Sequence, residues 1–147
     1  MAGSANPRGP AVYEIHEHTA DLGVRATAAS LSELLADAAR GLTAVIAGDA
    51  AQIRPLDTDA FVVAGDDPAW LLRDWVAEVL AAFDLRRMLY RDFTVTVDDA
   101  GIRATARGER YDPARHRLAH EVKAVTQHEL DVHPTPTGWE AFFILDI

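Results

Sequence analysis

Residues 67–106 read DPAWLLRDWVAEVLAAFDLRRMLYRDFTVTVDDAGIRATA, and this stretch decides the fold. In its first half Leu72, Trp75, Val76, Val79, Leu80 and Phe83 recur every three or four residues. That is the period of a helix with one buried face. Asp67 stands where a helix cap belongs, and Pro68 takes the first helical position, where its missing N–H costs nothing. The charges Arg73, Asp74 and Glu78 lie mostly off the stripe. After Arg87 the period drops to two. Phe93, Val95 and Val97 alternate with Asp92, Thr94 and Thr96; Asp98-Asp99-Ala100-Gly101 reads as a hairpin loop, and Ile102, Ala104 and Ala106 return.

Upstream, Ser30-Leu31-Ser32-Glu33 is a capping box. Leu31, Leu34, Leu35, Ala38, Leu42, Val45 and Ile46 then give a first amphipathic helix to about Ala47, stopped by Gly48. Phe61 to Val63 reads as a short strand. Nearer the N-terminus, Tyr13 and Ile15 alternate with Glu14 and His16, and Val24 and Ala26 with Arg25 and Thr27, giving two short strands. Residues 1–10, with two Pro and two Gly, read as a mobile tail ahead of a single domain over 11–147. Downstream, Tyr111 to Leu118 reads as a loop, Val122 to Val132 as a longer strand, Pro134 to Gly138 as a turn and Trp139 to Ile147 as a terminal strand. The pattern predicts an α+β domain, with two helices packed on one face of a mostly antiparallel sheet.

Composition narrows the function. The 147 residues are 49% apolar and 25% charged, an ordinary globular balance. Lys+Arg total 14 against 23 Asp+Glu, a formal charge of −9, which disfavours strong direct binding of nucleic acid. With no cysteine, a disulfide scaffold, a Cys-ligated metal and thiol catalysis are excluded. No apolar run approaches a membrane span, and no secretory signal core is visible, so the expectation is a cytoplasmic protein. Nucleotide-binding glycine loops, a nucleophile elbow and a zinc helix are missing. His116 and His120, four apart in a loop-to-strand segment, fit solvated surface better than a zinc site.

Three places could carry chemistry. His18-Thr19-Ala20-Asp21 lies between two strands, so Asp21 either bonds turn amides or serves a ligand. Asp146 ends a strongly apolar strand and wants solvent, a cationic partner or a metal; Ile147 follows with its α-carboxylate. Lys123, the only lysine against thirteen arginines, sits mid-strand, either on a solvent face or near a functional carboxylate.

At these places the sequence resembles archease. The resemblance runs from Tyr13 to Ile147, through Tyr13-Glu14-Ile15, His18-Thr19-Ala20-Asp21-Leu22-Gly23, Leu31 to Leu42, and Leu71-Leu72-Arg73-Asp74-Trp75-Val76. It continues through Gly108-Glu109 with Tyr111-Asp112, Glu121-Val122-Lys123-Ala124-Val125-Thr126, and Asp146-Ile147. Glu17 and Gln127 depart from the family pattern, where an Asp and an aromatic are usual. The resemblance implies an accessory protein, not an enzyme, that activates an RtcB-type RNA ligase acting on 3′-phosphate ends. It would promote guanylylation of that ligase and multiple turnover in tRNA splicing or RNA repair. It also implies a divalent cation, probed as calcium, at Asp21, Asp146 and Ile147, with Lys123 as the functional residue toward the partner. The alternatives are a chaperone-like modulator of another RNA- or DNA-modifying enzyme and a stand-alone metal-dependent hydrolase. Hard cations take oxygen ligands, which suits that residue set.

Overall fold

Both helices start and stop where local chemistry dictates. The computed structural model describes residues 12–17 and 21–147, so the tail over 1–10 and the residues His18, Thr19 and Ala20 lie outside the described residues. Ser30 Oγ accepts from the Glu33 backbone N–H at 3.1 Å and opens α1 (Leu31–Ala47), which ends at Gly48 with φ of 75°. Asp67 Oδ2 accepts from the Trp70 N–H at 3.0 Å and opens α2 (Pro68–Arg86), which ends at Arg87 in the left-handed region. Trp75, fully buried, donates its indole N–H to Leu35 O at 2.8 Å and ties α2 to α1. Gly41, mid-helix in α1, costs about 1 kcal/mol of helix propensity against Ala. A Cβ there would meet Val24 Cγ1 at 2.9 Å, so the glycine lets α1 lie against its strand.

The strands are β1 (Val12–Glu17), β2 (Asp21–Ala28), β3 (Asp57–Ala64), β4 (Met88–Asp98), β5 (Gly101–Arg110), β6 (Ala124–Val125), β7 (Asp131–Thr135) and β8 (Gly138–Asp146). They form two antiparallel sheets. One has the order β1-β2-β8-β6 with β7 also beside β8; the other is β3-β5-β4. The α+β class and the two covering helices hold, while the strands divide between two sheets with α1 packed on β2 of one and β4 of the other. In the larger sheet Leu22, Val24, Ala26 and Ala28 alternate into the core with Ala141, Phe143 and Leu145 opposite. Asp21, Arg25 and Asp146 therefore belong to the other face. Truncating a core side chain such as Leu35 or Leu72 to Ala costs about 2–5 kcal/mol.

The expected long strand from Val122 to Val132 is not formed. Only Ala124–Val125 and Asp131–Thr135 pair, both along the same edge of β8. Between them the register gains three residues. Thr126 Oγ1 accepts from the His128 N–H at 3.2 Å, Leu130 N–H donates to Gln127 O at 3.3 Å, and Glu129 takes a left-handed φ of 55°. These polar residues close a local turn in place of ladder bonds. Val122 and Val125 are both buried, three apart, which the single buried face of a continuous strand does not give. The later turn is also tighter than expected: Pro134 and Thr135 belong to β7, and Pro136-Thr137 join it to β8.

Candidate functional site

Asp21 lies in β2 itself, as its first residue, and Asp146 is the last residue of β8. The two are direct cross-strand partners. Carboxylates placed so, with Cβ atoms about 5 Å apart, repel each other unless a cation lies between them or one holds a proton. Asp21 Oδ1 is buried and accepts no hydrogen bond among the described residues. Such an atom costs about 1–3 kcal/mol, more when charged. Ile147 follows Asp146 directly and packs partly against the core.

Lys123 reaches the same place by its main chain. Its N–H donates to Asp146 O at 2.7 Å, and the next residue, Ala124, is the β6 partner of Asp146 on the side opposite Asp21. The side chain is exposed and makes no ion pair among the described residues. The structure thus brings together Asp21, Asp146, Ile147 and Lys123 from the two ends of the chain. Among the described residues, no three His, Asp or Glu side chains converge. An orphaned buried carboxylate oxygen facing a second carboxylate suits a hard divalent ion, whose ligands are oxygens.

The histidine pair falls apart as a zinc site. His120 Nδ1 lies 3.1 Å from Val45 O at the C-terminus of α1. His116 is buried, not solvated. Its Nδ1 accepts from the Asp112 N–H at 2.8 Å, which leaves Nε2 to carry the proton donated to Glu109 Oε2 at 2.8 Å.

Glu109 is the centre of a network that the sequence pattern did not reveal. Arg54 and Arg115 both pair with it, at 2.9 and 2.8 Å, and the Arg54 N–H donates to it at 2.8 Å. Burial pushes its carboxyl up, but the bonds from Arg115, the Arg54 backbone and His116 outweigh burial and hold it well below the usual range. The network anchors the irregular 111–123 segment at its start. Further along, Arg117 N–H donates to Gln52 Oε1 at 2.8 Å and Ala119 N–H to Ile46 O at 2.7 Å. Lys123 therefore stands at the end of a strap fixed at several points. The only advance signal was Gly108-Glu109 and Tyr111-Asp112 recurring in the family pattern.

The Archease protein family model matches residues 13–147. The chain belongs to the Archease protein family. The protein archease of Methanopyrus kandleri is 35% identical over 139 residues, covering 92% of this chain and 99% of that one. The protein archease of Pyrococcus abyssi is 33% identical over 140 residues, covering 92% and 98%. The solution structure of Methanobacterium thermoautotrophicum protein 1598 superposes with a TM-score of 0.78 at 29% identity, covering 92% of this chain and 98% of that one. The archease match takes in every candidate residue, from Asp21 to Ile147. Among the described residues, no helix of this archease is long and apolar enough to cross a membrane.

Proposed function

We propose that this archease binds a divalent cation, calcium being the ion to test, and activates an RtcB-type RNA ligase in the cytoplasm without joining RNA itself. The observation that carries the cation is the Asp21–Asp146 opposition with its buried, unpartnered Oδ1. Asp21 and Asp146 would hold the ion with a main-chain oxygen of Ile147, and its positive charge would cancel the repulsion between the β2 and β8 ends.

Lys123 is the group turned outward. Its N–H on Asp146 O ties the lysine's main chain to the strand end that carries the carboxylate pair, while the ammonium stays free to reach a partner. A compact, exposed ammonium suits a phosphate or carboxylate on the ligase. The charge of −9 supports docking beside a basic, RNA-binding enzyme and disfavours RNA as the direct target. In this reading the protein helps the ligase reload guanylate between rounds, in tRNA splicing or RNA repair.

The test is multiple-turnover joining of RNA ends bearing 3′-phosphates by an RtcB-type ligase from the same organism. Sub-stoichiometric archease is expected to raise the number of rounds per ligase, while the isolated protein neither joins nor cleaves RNA. Unchanged turnover at every ratio would refute activation, and phosphoester hydrolysis by the isolated protein, lost with chelator, would make it an enzyme.

A further inference from the structure

We infer that the free edge of β3 docks an extended, arginine- or lysine-bearing segment of a partner protein, which adds to the three-stranded sheet as a fourth strand. β3 is the end strand of that sheet, with β5 on its other side. Gly65 N–H donates to Ala100 O at 3.1 Å, and the register below it is Ala64 with Gly101, Val63 with Ile102 and onward without interruption to Asp57. In an antiparallel ladder the bonded residues alternate. Asp59, Phe61 and Val63 therefore bond to β5, while the N–H and C=O of Thr58, Ala60, Val62 and Ala64 point away from the sheet.

Natural edge strands are guarded by proline, lysine, bulges or a covering element. β3 has neither proline nor a basic residue, and its pairing with β5 carries no register shift. Val62 stands at its middle with 75% of its surface exposed. Its charges, Asp57 and Asp59, stand within its first three residues, so the Ala60–Ala64 half of the edge is unguarded, and with its exposed valine it is a template for strand addition.

A groove of about 410 Å³ runs beside this edge, lined by Val62–Ala64 of β3 and by Arg73, Asp74, Ala77 and Glu78 of α2. Side chains of an added strand that turn inward would lie against Val63 and Ala77. Charge selects the occupant. Asp74 is paired with Arg73 at 3.2 Å and Asp59 with Arg86 at 3.8 Å, so the charges left over along the edge among the described residues are those of Glu78 and Asp57, both acidic. Glu78 has no ion-pair partner among the described residues. A second copy of this acidic chain would bring the same charges against each other, whereas a basic segment is complementary.

The experiment uses the full chain and a fluorescent heptapeptide alternating arginine and valine, with binding read by anisotropy. Four probes separate the contributions: the peptide itself, the same peptide with glutamate for arginine, and two isomers N-methylated at alternate residues, each blocking one strand edge. Val62→Pro removes an outward N–H without touching the β5 ladder, and Val62→Thr keeps it. The account expects the arginine peptide to bind wild type and Val62→Thr alike. Val62→Pro should lose about tenfold in affinity, since a bond is lost and a neighbouring one is disturbed. The glutamate peptide and the better-placed N-methyl isomer should lose at least as much. Equal binding of the plain and both N-methylated isomers by wild type would overturn strand addition, whatever becomes of the proline variant. Sedimentation showing a dimer that Val62→Pro dissociates would assign the edge to a second copy and overturn the proposal.

Discussion

Replacing Asp146 by Asn should stabilise the protein without a cation and destabilise it, relative to wild type, with one. Asp21 and Asp146 face each other across β2 and β8. Two unit charges about 5 Å apart repel by about 1–3 kcal/mol for effective dielectric constants between those of water and a protein surface. Both residues are half-buried, so solvent screens the pair only in part and about 1 kcal/mol is the least to expect. Asp146→Asn removes that repulsion while keeping the shape and the backbone bonds to Lys123 and Ala124. In chelator the variant should gain about 1 kcal/mol, which for a domain of this size is about 2–4 °C in melting temperature. Calcium at about 100 times its dissociation constant should add about 2.7 kcal/mol to wild type, or roughly 5–10 °C, and much less to the variant. Thermal unfolding followed by circular dichroism, in chelator and in calcium, gives the four melting temperatures. The order of the two proteins should invert between conditions. A variant less stable than wild type in both, with equal gains from calcium, would refute the opposed-carboxylate reasoning.

Lys123→Ala should leave the melting temperature within about 2 °C, as expected for an exposed residue, and abolish most ligase stimulation, with Lys123→Arg recovering part of it in the same turnover assay. Glu109→Gln should cost roughly 2–4 kcal/mol in urea unfolding, because Arg54, Arg115 and His116 lose their charged acceptor. Because the folded Glu109 carboxyl titrates below its unfolded value, its contribution is complete above about pH 4.3 and fades as the pH falls beneath that. Wild type should therefore lose stability more steeply in acid than Glu109→Gln. Tyr90 is pushed up to about 12, by burial first and then by its bond to Asp59, from the ordinary 10.0. Its stabilising share is complete below pH 10.0 and lost as the pH rises toward about 12, so Tyr90→Phe should flatten the alkaline limb of the stability profile.

The helices were legible because their information is local: caps, a proline at the first turn and a period of 3.6 sit in consecutive residues. The β4–β5 hairpin was legible for the same reason. What the sequence hid was non-local. Nothing along the chain says that the strands split into two sheets, since that choice depends on how α1 packs on β2 and β4 at once. The Val122–Val132 reading failed because alternation was assumed where Thr126 and Gln127 close a turn and β8 offers one edge to two short strands. At the site, Asp21, Asp146 and Lys123 stood out as residue types in odd surroundings. Their meeting is a matter of register: one strand pairing joins Asp21 to Asp146 from more than a hundred positions away, and one backbone bond and a second pairing bring Lys123 and Ala124 to the same residue. Glu109 was invisible as a centre because its partners come from Arg54, Arg115 and His116, and only folding makes them neighbours.

The most direct test of the central claim is titration calorimetry of calcium into the chelator-treated protein, alongside Asp21→Asn and Asp146→Asn. The account predicts a single site per chain in wild type, weakened at least tenfold in each variant because affinity follows the number of charged ligands, with both variants remaining folded by circular dichroism. Calcium binding that is equal in all three proteins, or undetectable in wild type, would contradict it.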